Sequence, residues 1–195
     1  VRVFGCHIHD DAGDGVRASW CSQGQIINLS SCIIDAMTGF GVSAQFAATS
    51  VFAVNCVFFG NTSGGIAHGV RNSTETSNFF LQNCIISGNS GPGVSVASGA
   101  FVQLFCNGVA FKDNTGGPIG SGVNINAASI PYIDLTADPF TDAAGGDFSL
   151  SAEATEVLGM GWPDYFLSGG ALTSWRSYTD LGAVQIEAAA GGSGG

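Results

Sequence analysis

The stretch "LQNCIISGNSGPGV", residues 81–94, decides the fold, because its pattern recurs along the chain. Cys84 has counterparts at Cys6, Cys32, Cys56 and Val109, spaced by 26, 24, 28 and 25 residues. Two residues after each stands Ile8, Ile34, Phe58, Ile86 or Phe111, and ten after stands Val16, Val42, Ile66, Val94 or Ile119. Three before stands Val3, Leu29, Ala53, Leu81 or Cys106, and five before stands Val1, Ile27, Val51, Phe79 or Leu104. The turns repeat too, as "GNTSGGI" from Gly60, "GNSGPGV" from Gly88 and "DNTGGPI" from Asp113, with Asn55 and Asn83 matched just before their cysteines. Glycine supplies the positive φ of a tight corner and Asn tolerates it. A repeat of this period is a supersecondary unit that cannot bury its apolar side alone, so the units must stack.

Short strands with Gly/Asn corners, stacked as coils, make an all-β solenoid. These residues resemble the right-handed parallel β-helix family, the fold of pectate lyases, phage tailspikes and bacterial surface proteins. The stretch "ADPFTDAAGGDFSLS" (137–151) with "YTDLGAVQ" (178–185) is similar to the closing segment of bacterial and phage members, with Leu181 standing where Ile is usual. The resemblance implies about five to six coils over residues 1–135, an irregular closing segment over 136–186 packing on them, and a flexible Gly/Ala/Ser tail over 187–195.

Bulk properties narrow the function. The 195 residues suit one domain. Charged residues make up only 10%, against roughly 25% in an average soluble protein. Five Lys+Arg against fifteen Asp+Glu give a net charge of −10, which repels phosphate backbones and argues against a nucleic-acid partner. Nowhere does an apolar run reach the roughly 20 residues that span a bilayer as a helix. The six cysteines lack the CxxC pairing of zinc or redox sites. Cys6, Cys32, Cys56 and Cys84 are expected to stack inward as small buried thiols, since directly opposed parallel strands rarely meet disulfide geometry.

Alternation along the strands sorts the remaining positions. One residue after each repeat anchor, an outward column reads His7, Ile33, Val57, Ile85, Ala110; three after, another reads His9, Asp35, Phe59, Ser87, Lys112. An exposed apolar strip requires a cover. The nearest cover is the closing segment, with Phe148, Leu150, Leu158, Met160, Trp162, Tyr165, Phe166, Leu167 and Trp175; the other is a second copy of the chain. Ile33, Val57, Ile85 and Phe59 are therefore interface candidates. Val1 and Val3 join them at the first coil, where the expectation is either that the chain is cut from something longer or that its end stacks on another molecule.

Chemistry concentrates in "CHIHDDAGDGV", residues 6–16. His7 and His9 project from one face of a strand, with Asp35 beside His9 in the next coil, while Asp10, Asp11 and Asp14 fill the corner. His7, His9 and Asp35 could bind a divalent transition metal, and the aspartate corner calcium; beyond calcium no cofactor is expected. The same groups could do acid/base work with Arg17 as the basic partner. His68 falls on an inward column as a core histidine. The sequons at Asn28, Asn61 and Asn72 fit the Asn-rich corners. No Walker loop, GxSxG elbow or HExxH is present.

Low charge, the apolar outward column, the first coil's edge and the missing catalytic motif together favour a non-catalytic module. The resemblance implies an extracellular, cell-surface or virion-surface rod for structure, adhesion or assembly, with a filament subunit as one form. The alternative is a polysaccharide lyase or glycoside hydrolase, or its carbohydrate-binding part, using His7, His9, Asp35 and Arg17.

Overall fold

The structure, a computed structural model, describes residues 1–19, 25–45, 49–68, 76–96, 101–125, 132–151, 153–157 and 182, with His68 and Phe101 described by backbone only. It is an all-β parallel solenoid. The first coil carries β1 (Arg2–Phe4), β2 (His7–His9) and β3 (Val16–Ala18). The second carries β4 (Ile26–Ser30), β5 (Ile33–Asp35) and β6 (Phe40–Ala44), and the third β7 (Ser50–Val54), β8 (Val57–Phe59) and β9 (Gly64–His68). In the fourth, the first two strands merge into β10 (Thr76–Ser87), followed by β11 (Val94–Val96). Then come β12 (Phe101–Lys112), β13 (Val123–Ile125) and β14 (Ile133–Asp134), and a closing antiparallel pair, β15 (Phe140–Asp142) and β16 (Asp147–Leu150), around a 3-10 turn at Ala143–Gly145.

Register follows the repeat. His7 pairs with Ile33, Ile33 with Val57, Val57 with Ile85 and Ile85 with Ala110, all in parallel. The second sheet aligns Val16, Val42, Ile66 and Val94. The count of five to six coils is corrected to about four turns, because the second sheet has four strands, β11-β9-β6-β3. Beyond Val94 that sheet gains, among the described residues, a single bridge to Ile119, while β13 and β14 continue the first sheet beside β12.

Two left-handed corners per coil explain the turn residues. Immediately before each anchor stand Gly5, Ser31, Asn55, Asn83 and Gly108, and four after stand Asp10, Ala36, Gly60, Gly88 and Asp113, all at positive φ. A third corner needs glycine for space: a Cβ on Gly41, Gly65 or Gly93 would lie 2.7 Å from the carbonyl oxygen of Gly65, Gly93 or Pro118 in the following coil.

Inside, the predicted columns form one core. Ile27, Leu29, Ile34, Phe58, Phe79, Leu81, Ile86, Leu104 and Phe111 are all nearly or fully buried. Cys32, Cys56 and Cys84 are buried free thiols within it; Cys6 belongs to the same column but is exposed, because no strand of the described residues covers the first coil. Hydrogen bonding with Cys56 and burial hold the Cys32 thiol above its ordinary range, and burial does the same for Cys56. Burial pushes Cys106, which pairs with Leu81 in another column, up to about 12. These groups stay protonated and pack as small apolar residues. His68 keeps the expected register, between Ala44 and Val96.

A buried amide ladder runs beside this core. Asn61 Nδ2 donates to Asn89 Oδ1 at 3.0 Å, and Asn89 Nδ2 donates to Asn114 Oδ1 at 2.7 Å. Each amide also reaches a backbone carbonyl two positions before a corner: Ile34, Phe58 or Ile86. Main-chain groups that the corner turns away from the sheet are thereby satisfied, which buried polar groups require. Asn61 is fully buried, so its sequon is unavailable to solvent.

Candidate functional site

The outward column of Ile33, Val57, Ile85 and Ala110 is covered by the chain itself. Leu135, Phe140, Phe148, Leu150, Ala154 and Val157 form a second apolar cluster over it, and Val57 and Ile85 become fully buried. Burying two such side chains is worth about 1.5–3 kcal/mol each, which is the local drive for the closing segment to dock. Gly182 seals the same spot: its N–H donates to Asn83 O at 2.8 Å, and a Cβ there would lie 3.1 Å from Ile85. Of the expected covering residues, Phe148 and Leu150 do this work, while Leu158, Met160, Trp162, Tyr165, Phe166, Leu167 and Trp175 lie outside the described residues, as do Cys21, Asn72 and the 187–195 tail. The acids of the "ADPFTDAAGGDFSLS" stretch shape this cover. Asp138 and Asp142 accept from the N–H groups of Phe140 and Gly145, each at 3.0 Å.

Where the cover ends, a cleft of about 460 Å³ opens between it and the first coils, lined by His7, His9, Asp10, Asp35, Phe59 and the turn from Ala143 to Gly146. Here one expectation is corrected. Asp35 is in register with His9, yet its carboxylate bonds to His7: His7 Nε2 and Asp35 Oδ1 lie 2.6 Å apart. Being acceptor-only, the carboxylate takes the imidazole N–H, so Asp35 holds His7 with its other nitrogen unprotonated in the neutral ring. His9 Nδ1 instead lies 3.1 Å from Asp10 Oδ2. Phe148 packs edge-on against His7 at 5.7 Å and also meets Phe59 at 5.6 Å, so the His7–Asp35 pair sits at the edge of the apolar cover. Asp35 is only 13% exposed, so it is the best-sheltered charge in the cleft, against 41% for His7.

Arg17 does not join this group. It lies on β3 in the second sheet, donating from Nη2 to Gln45 Oε1 at 2.8 Å, with Nε 3.9 Å from Asp14. The corner carboxylates serve the backbone: Asp14 Oδ1 accepts from Phe40 N at 2.9 Å, and Asp11 Oδ1 from Ala12 N at 2.6 Å. Among the described residues, no three His, Cys, Asp or Glu side chains converge as a ready-made metal-ligand set. Among the described residues, the lining of the cleft has His7 and His9 as its bases and includes no Lys or Arg and no hydroxyl or thiol nucleophile.

A second surface was not read from the sequence. Four residues before each anchor stand Arg2, Asn28, Phe52, Phe80 and Phe105, an outward column of the first sheet. The Phe52 and Phe80 rings stack at 4.6 Å and 5°, and Phe80 and Phe105 at 4.4 Å and 12°. Flanking columns read Ile26, Ser50, Asn78, Gln103 on one side and Phe4, Ser30, Val54, Gln82, Asn107 on the other, with exposed Ile26 and Phe4 at the first coils and polar groups prevailing from the third coil on. The signal was present in the repeat alignment, but a column of half-buried rings looks like core unless its offset from the cysteines is tracked.

No family model, no curated protein and no solved structure matches the chain.

Proposed function

We propose that the chain is a non-catalytic β-helix module of the bacterial-surface or phage type, an extracellular, cell-surface or virion-surface rod that adheres through the outward face of its first sheet. One observation carries this reading. In a chain of net charge −10, the columns at Ser50, Phe52 and Val54 and their equivalents in the next two coils hold four amides, one hydroxyl, one valine and three stacked rings. An uncharged face of hydrogen-bonding groups around an aromatic stripe suits a neutral, hydroxyl-rich polymer such as a polysaccharide. The paired strands, with the Asn83 Nδ2 to Asn55 Oδ1 bond of 3.0 Å at the adjoining corner, give that face a fixed shape, which lowers the ordering cost of binding.

The lyase or hydrolase reading has the His7–Asp35 pair in its favour, but its basic partner Arg17 stands on the other sheet. Affinity electrophoresis through neutral and acidic polysaccharides, with and without calcium, separates the two readings. The adhesive reading expects retardation by a neutral polymer, weakened at least tenfold in Phe80→Ala, with no chain cleavage. Retardation that Phe80→Ala leaves intact would overturn it. Cleavage lost in Asp35→Ala would establish the enzymatic alternative.

A further inference from the structure

The adhesive reading leaves the cleft at the first coil unused, and two features there point to a ligand. His7 and His9 stand two apart on β2, so their side chains share a face. Each ring has one nitrogen held by a carboxylate: His7 Nε2 by Asp35 and His9 Nδ1 by Asp10. With both carboxylates accepting, the neutral rings carry their lone pairs on His7 Nδ1 and His9 Nε2, and neither atom has a hydrogen bond among the described residues. A carboxylate behind the far nitrogen is how metal-binding imidazoles are oriented and made more basic.

The spacing fits as well. A metal about 2.1 Å from a ring nitrogen lies about 3.2 Å from the ring centroid, so two rings on one ion at roughly 90–110° have centroids about 4.5–5.3 Å apart. The rings of His7 and His9 are 4.8 Å apart, tilted by 43°. We propose that His7 and His9 form a two-imidazole site for a divalent transition metal of the zinc class, its remaining coordination positions open to the cleft. Imidazole pairs select zinc, copper and nickel over calcium and magnesium, which prefer all-oxygen shells. Asp35 is a positioning residue: it orients His7 and is sheltered by Phe59 and the turn at Ala143–Gly146.

Titration calorimetry of the full chain with zinc chloride tests this, with metal-shifted imidazole resonances as a second readout. One equivalent is expected, with both His7 and His9 ring signals shifting. Affinity should fall at least tenfold in His9→Ala, which leaves the Phe148 contact of His7 intact, and by about 10–100-fold in Asp35→Asn. Cys6→Ser and His68→Ala should bind as the parent does. No uptake at millimolar zinc, undiminished affinity in the His7→Ala/His9→Ala double variant or in Asp35→Asn, or loss of binding in Cys6→Ser would each overturn the site.

Discussion

Asn89 shows how single residues hold this fold. Its side chain accepts from Asn61 and donates to Asn114 and to the Phe58 carbonyl, so replacing it strands groups on two neighbouring coils. Asn89→Ala is expected to destabilise the chain by about 3 kcal/mol in urea unfolding, since each orphaned buried group costs about 1–3 kcal/mol. Asn78→Ala, on the outward face, should change stability by no more than about 0.5 kcal/mol. The repeat exposes Asn89 as a corner residue, and the two-residue alternation places most core side chains correctly. It does not foresee which histidine takes Asp35. Register alone favours His9, whereas the bond to His7 runs diagonally between coils and lies beside Phe148, more than a hundred residues away in sequence.

At the level of elements, the closing pair β15–β16 completes the solenoid by covering the apolar column that the coils leave outward. Phe148 is buried there and touches His7, Phe59 and Phe140. Phe148→Ala should cost about 3–5 kcal/mol and expose Ile33, Val57 and Ile85, detectable as lower urea resistance together with binding of a hydrophobic dye. An unchanged midpoint would contradict the docking. Strand β16 carries a pH dependence. The side-chain hydroxyl and the N–H of Ser149 both donate to Asp147 and hold its carboxyl below the usual range. A lowered folded value means that the contact contributes above the ordinary Asp range and is lost as pH falls through the lowered one. The Ser149 amide should therefore titrate with a midpoint below about 3.9. A midpoint at or above that value would contradict the bond. The need for a cover was legible in the outward column Ile33–Val57–Ile85; its turn at Ala143–Gly145, and the cleft beside it, were not, because an irregular segment has no periodicity to read.

For the whole molecule, the central claim is that equivalent positions of a 25-residue or so repeat lie directly above one another, one coil apart, and that the closing segment folds back over them. The Phe52–Phe80–Phe105 column follows from this stacking: its successive members are 28 and 25 residues apart in sequence, yet neighbouring rings lie within 4.6 Å of each other. The same column is the surface on which the adhesive reading rests. The number of turns was less legible, since a repeat in the sequence continues past Val109 while the second sheet stops at four strands. Proton–proton Overhauser spectroscopy on chain with labelled phenylalanine tests the arrangement most directly. Ring-to-ring cross-peaks are predicted for Phe52–Phe80, Phe80–Phe105 and Phe59–Phe148. Their absence in folded protein, or cross-peaks linking Phe52 to Phe105 with Phe80 left out, would contradict the stacked coils.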